Sequence, residues 1–166
     1  MSRKLFIPII ILTGFSINNS CSQTPAKNSP ALVFVASSPC GISSKPLPGI
    51  PVTADCEWIK WKLSLTGDAT HPTTYILTYT WGMTKPSTTD FMNGGTTVTM
   101  QGKWSVSKGT ATDPDAIIYT LDPDKSATSI QFVKLSDQLL HLLDKSKRLM
   151  VGSPAWSYTL NREQHK

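Results

Sequence analysis

"EWIKWKLSLTGDATHPTTYILTYTW", residues 57–81, decides the fold. In its first nine residues Ile59, Trp61, Leu63 and Leu65 fall on one face, and Lys60, Lys62 and Ser64 fall on the other. A period of two is the signature of a strand, because successive side chains of an extended backbone point to opposite faces. "TGD" at 66–68 supplies a turn. Beyond it, Tyr75, Leu77, Tyr79 and Trp81 share one face against Ile76, Thr78 and Thr80, and the threonines and aromatics favour strand over helix.

The same pattern recurs downstream in "TTVTMQGKWSV" (96–106), "AIIYTL" (116–121), "SIQFVKL" (129–135), "QLLHLLD" (138–144) and "SYTLNR" (157–162). "NGG" at 93–95, "KGTATDPD" at 108–115 and "DPDKS" at 122–126 separate these segments with residues that favour turns. Some seven short strands with no long helical segment between them read as an all-β antiparallel meander, and such a sheet hides its edges best by closing into a small barrel. One segment carries a competing pattern. In "SDQLLHLLDKSKRLM" (136–150), Leu139, Leu140, Leu142, Leu143 and Leu149 would also suit an amphipathic helix capped by Ser136, against the hairpin preferred here.

Upstream, residues 1–20 read as an export signal: Arg3 and Lys4, an apolar core from Leu5 to Phe15, then small polar residues up to Cys21. The core is too short for a transmembrane helix, which needs about 20 apolar residues. "NNSC" (18–21) resembles a bacterial lipobox, in which Cys21 would become the first mature residue and carry a diacylglycerol and an N-acyl chain such as palmitate. The alternative is an ordinary secretory signal cut nearby, leaving a free thiol. The polar, proline- and serine-rich stretch 22–30 suits a flexible linker after the anchor, so the expected organisation is signal 1–20, anchored linker 21–30 and one barrel domain over 31–166. The resulting location is the cell envelope, as an outer-membrane lipoprotein facing the periplasm.

Loss of residues 1–20 removes Arg3 and Lys4 and no acid, so the formal charge of +5 becomes +3. The remaining basic residues are scattered. Their densest group, Lys145, Lys147 and Arg148, sits on a turn, where solvation explains it, and no nucleic-acid partner is expected.

The order "ADC" (54–56), "WKLSLTGD" (61–68), "TYILTYTW" (74–81), "FMNGG" (91–95), "GKWSV" (102–106), "LLHLLD" (139–144) and "YTLNR" (158–162), together with the lipobox, resembles the N-terminal barrel domain of the NlpE copper-resistance lipoproteins. The resemblance spans roughly residues 48–162. It implies a small lipocalin-like barrel on a lipid anchor, a role in envelope stress or copper response, and an envelope protein as partner. Two departures stand out. Where that family has Cys-x-x-Cys, this chain reads Thr53, Ala54, Asp55, Cys56; and the turn after Asp144 has no glycine over Lys145 to Lys147. Cu(I) seeks two or more soft sulfur ligands, so the lost cysteine removes the family's metal site and no metal ligand set or cofactor is expected.

Met83, Met92 and Met100 could offer thioethers near Cys56, but methionines of this number in a small barrel are ordinary fillers or loop residues. His71, His141 and His165 share no metal-ligand spacing. There is no nucleophile elbow, zinc-protease motif, phosphate loop or nucleotide fingerprint, and Asp113, Asp115, Asp122 and Asp124 beside prolines are turn chemistry, so no catalytic residues are expected. Once Cys21 is acylated, Cys40 and Cys56 remain in an oxidising compartment, where thiols tend to pair. Between them runs "GISSKPLPGIPVTAD", with little packing of its own, and a Cys40–Cys56 disulfide would pin it to the start of the strand at 57. The alternative leaves Cys56 as a buried free thiol and Cys40 as an exposed one.

Two functional readings follow. One is a non-enzymatic envelope sensor or adaptor that docks to a membrane protein; the other is a lipocalin-like carrier of a small apolar or metal ligand. An interior filled by Trp61, Leu63, Tyr75, Leu77 and Trp104 would leave the carrier no room.

Overall fold

The computed structural model describes residues 31–41 and 45–164. The signal segment 1–20, Cys21, the linker 21–30 and His165 lie outside the described residues. Eight antiparallel strands close into a barrel in sequence order: β1 (Leu32–Pro39), β2 (Trp58–Gly67), β3 (Pro72–Gly82), β4 (Thr96–Lys108), β5 (Ile117–Leu121), β6 (Ile130–Ser136), β7 (Leu139–Leu142) and β8 (Thr159–Arg162). The all-β meander barrel read from the sequence is therefore the fold. β8 returns to β1 through Phe34↔Arg162 and Val35↔Asn161, so no edge is left open.

β1 is the strand that the alternation did not reveal. Its inward residues are Leu32, Phe34, Ala36 and Ser38, its outward ones include Val33 and Val35, and so the polar and apolar positions do not alternate. Ser38 faces inward because it has partners: Trp61 Nε1 donates to its hydroxyl over 3.0 Å, and the hydroxyl donates to Ser157 O over 3.0 Å. At 136–150 the hairpin prevails over the helix. β6 and β7 pair through Phe132↔Leu142 and Val133↔His141 around a tight turn at Asp137 and Gln138, which lets Leu140 and Leu142 both face the core.

The inward face is the apolar face of each alternating segment. Ile59, Trp61, Leu63, Leu65, Tyr75, Leu77, Tyr79 and Trp104 meet Tyr119, Leu121, Phe132, Leu140 and Leu160 in one continuous core. An eight-stranded barrel is just wide enough for its side chains to fill it. The outward face of β2–β4 carries Lys60, Lys62, Ser64, Thr78, Thr80, Thr97 and Thr99, with cross-strand threonine hydroxyl contacts at Thr78–Thr99 (3.3 Å) and Thr80–Thr97 (2.8 Å). This is the reverse of the apolar outer band of a membrane-spanning barrel. No helix among the described residues is long and apolar enough to cross a membrane.

Up-and-down order sends alternate connections to opposite ends. The connections 40–41 with 45–57, 83–95, 122–129 and 143–158 leave the strands at one end, here called the mouth, and 68–71, 109–116 and 137–138 at the other. The turn of 143–158 reaches back along the outer wall of β5 and β6, where Leu143 packs on Ile118 and Val133 and Lys147 O accepts from Ala111 N–H over 3.0 Å. The first of the mouth connections corrects the sequence reading. Residues 45–50 are packed after all, because Leu47 and Ile50 are 2% and 6% exposed and belong to the barrel core. Tyr79 Oη donates to Pro48 O, and Gly49, at φ +84, passes so close to that hydroxyl that a Cβ would lie 2.9 Å from it. The connection folds back as a plug.

Candidate functional site: the mouth of the barrel

Cys40 and Cys56 are bonded, with Cα atoms 5.7 Å apart, and they close the plug segment at its two ends. Cys40 N–H also donates to Glu57 O over 3.1 Å, and Glu57 N–H to Gly82 O over 3.1 Å, which ties the closure to β3. Inside the loop, Lys45 Nζ donates to Gly41 O (3.2 Å) and Ala54 O (3.3 Å), so its charge is spent on the plug's own backbone.

Beside the plug lies a groove of about 760 Å3, bounded by residues 45–48, by the β5–β6 connection and by the turn after β7. Leu47, Pro48, Leu142, Leu143 and Met150 contribute its apolar surface; Ser126, Thr128, Ser129 and Ser146 contribute hydroxyls; Lys145 and Lys147 contribute charge. The turn carrying those lysines is the one that lacks a glycine. Lys147 itself occupies the left-handed region at φ +59, held there by Asp144. The Asp144 carboxylate accepts from Ser146 N–H (2.8 Å), Arg148 N–H (2.9 Å) and Arg148 Nε (3.1 Å), and the backbone bond from Arg148 is the main cause that holds its pKa below the usual value. Neither Lys145 nor Lys147 makes an ion pair among the described residues.

Exposed apolar side chains also collect at this end. Val52, Met83, Met92, Leu149, Val151 and Trp156 all belong to mouth connections, and Trp156 stands edge-on to Trp58 at 85°.

Other residues singled out from sequence fall into structural roles. Met83 and Met92 adjoin through Met92 N–H to Met83 O (2.8 Å), but Met100 turns toward the core, so the three do not converge on Cys56. His141 is held at both ring nitrogens, by Thr159 Oγ1 and Met150 O, each at 2.9 Å. His71 sits in the β2–β3 turn beside Thr70 and Asp68. Asp113 and Asp115 serve their own loop, Asp113 accepting from Asp115 N–H over 2.9 Å. No group of three or more His, Cys, Asp or Glu among the described residues could hold a metal ion.

Asp122 is the residue whose role the sequence concealed. It is buried at φ +48 and accepts from Tyr75 Oη (2.9 Å) and Lys125 Nζ (3.3 Å). Gly102 makes this possible, since a Cβ there would overlap the Asp122 carboxylate. Burial, then the hydrogen bond and charge of Asp122, push the Tyr75 phenol far above its ordinary range. Beside a proline, the aspartate signals only a turn; nothing local says that its side chain folds inward.

These features define a closed, plugged, eight-stranded barrel with a basic and apolar mouth. No protein-family model, curated protein or solved structure matches the chain.

Proposed function

We propose that this chain is a non-enzymatic lipoprotein of the bacterial cell envelope, anchored through Cys21 in the outer membrane, that acts as a sensor or adaptor in envelope stress or copper response by docking to a membrane-protein partner. The observation that carries this reading is the contrast between the two parts of the barrel: the interior is filled by core side chains and plugged by Leu47 and Ile50, while the long connections gather at the mouth. A filled interior suits a protein that works with its surface, whereas a carrier needs an empty one. The NlpE resemblance of the sequence supports the same reading. The chain enters β1 at the end opposite the mouth, so a tether from Cys21 would leave the mouth facing away from the anchoring membrane.

The copper component runs through stress response and not through chelation at a Cys-x-x-Cys site. Cys56 is bonded to Cys40 and offers no thiolate in that state.

Deleting the gene should alter survival under copper or under blocked protein export, and a chain carrying Cys21→Ser should leave the membrane fraction and lose its acyl label. Wild-type growth of the deletion strain under both stresses would reject the proposal. Uptake of retinol or a similar apolar ligand into the intact barrel would favour the carrier instead.

A further inference from the structure

The geometry points to a definite occupant for the mouth groove: an extended segment of the docking partner in which carboxylates alternate with apolar side chains. The inference rests on the adaptor reading and names the chemistry of its partner. The groove's volume of about 760 Å3 lies within the range of about 300–1,000 Å3 typical of ligand clefts. Its floor is apolar at Leu47, Pro48, Leu143 and Met150, and its free charge is positive at Lys145 and Lys147. The one acid on its wall, Asp144, is already committed to the N–H groups of Ser146 and Arg148 and to the Arg148 side chain. That commitment fixes the turn, so the two ammonium groups are presented from a stiff backbone and less entropy is lost when an anion meets them.

Polar and apolar surface are mixed along the groove, with serine and threonine hydroxyls placed to bond a peptide backbone. An acyl chain would gain nothing from those hydroxyls. Two nearer occupants are unsuited. The chain's own segment 22–30 carries Lys27 and no acid, and it leads to the opposite end of the barrel. A second copy carries the same net positive charge.

The test uses the full-length chain as cells make it and a fluorescein-labelled peptide of alternating aspartate and leucine, followed by anisotropy. Binding is expected, weakening as salt is raised, and Lys145→Glu with Lys147→Glu should weaken it about ten-fold. A matched peptide with lysine for aspartate should not bind. Should the charge-reversed chain not fold, Lys145→Gln with Lys147→Gly keeps the turn, and a loss of about three-fold is expected for it. Equal binding of the lysine peptide, unchanged affinity in a folded variant, or displacement by oleate with no peptide binding would overturn the inference. In cells the two readings separate. If the deletion strain shows its stress phenotype and the folded variant restores wild-type behaviour in full, the groove is not the docking site and the adaptor reading stands. If the deletion strain shows no phenotype, the adaptor reading falls and the peptide measurement still decides the groove.

Discussion

Lys147 and Gly102 show how single positions set this fold. A left-handed backbone costs a non-glycine residue about 1–2 kcal/mol, and Lys147 adopts one at φ +59 because the Asp144 carboxylate gathers the turn's N–H groups. Lys147→Gly should therefore raise stability by about 1 kcal/mol, read as a higher urea midpoint at unchanged slope; an unchanged midpoint would show that the turn carries no strain. Gly102 is needed for closeness instead of for a special angle. Its missing Cβ leaves room for Asp122, which in turn accepts from Tyr75. Tyr75→Phe should lose about 1–3 kcal/mol, because it strips a donor from a buried carboxylate, and Gly102→Ala should lose at least as much. The double variant should be no worse than Gly102→Ala alone, since both act on one contact. Additive losses would mean that the two residues act separately.

At the scale of elements, the plug is the unusual part. Connections normally lie on the surface, yet residues 45–50 send Leu47 and Ile50 into the core and receive the Tyr79 hydroxyl on Pro48 O. Two forces hold the plug: burial of those side chains, and the Cys40–Cys56 link at its base. Truncation at Leu47→Ala should cost about 2–5 kcal/mol, as for other buried leucines. Replacing both cysteines by serine should cost about 3 kcal/mol through restored freedom of the unfolded loop, while the strand spectrum in circular dichroism persists. Thiol counting on the denatured, unreduced mature chain should find neither Cys40 nor Cys56 reactive; two reactive thiols would reject the link.

The whole barrel shares one titration property. All four tyrosines of the chain, Tyr75, Tyr79, Tyr119 and Tyr158, lie in the core, and burial raises the pKa of each above 10.0. A group whose folded pKa is raised stabilises the fold fully below its unfolded pKa, and that stability is lost as pH climbs beyond it. Stability should accordingly hold up to about pH 10 and fall steeply above it. Absorbance near 295 nm should show tyrosine ionisation delayed past that point and then appearing together with unfolding. Four phenols titrating near their free value in a still-folded barrel would contradict the packing.

Sequence alone determined the strands from residue 57 onward and their closure into a barrel, because a period of two is written locally in each segment, and turn residues punctuate the segments. It also marked the lysine-bearing turn and the pair Cys40 and Cys56. What it did not show depends on partners far along the chain. β1 hides its alternation because inward Ser38 is satisfied by Trp61 and Ser157, and outward Val33 and Val35 are apolar. The plug reads as a proline-rich loop until the barrel supplies a cavity for Leu47 and Ile50. The groove exists only because three connections distant in sequence converge at the mouth. A short-range pattern records how a backbone is extended and which face is apolar; which surfaces meet is decided only when the chain closes, since the free energy of burial belongs to the assembled contact and not to either segment.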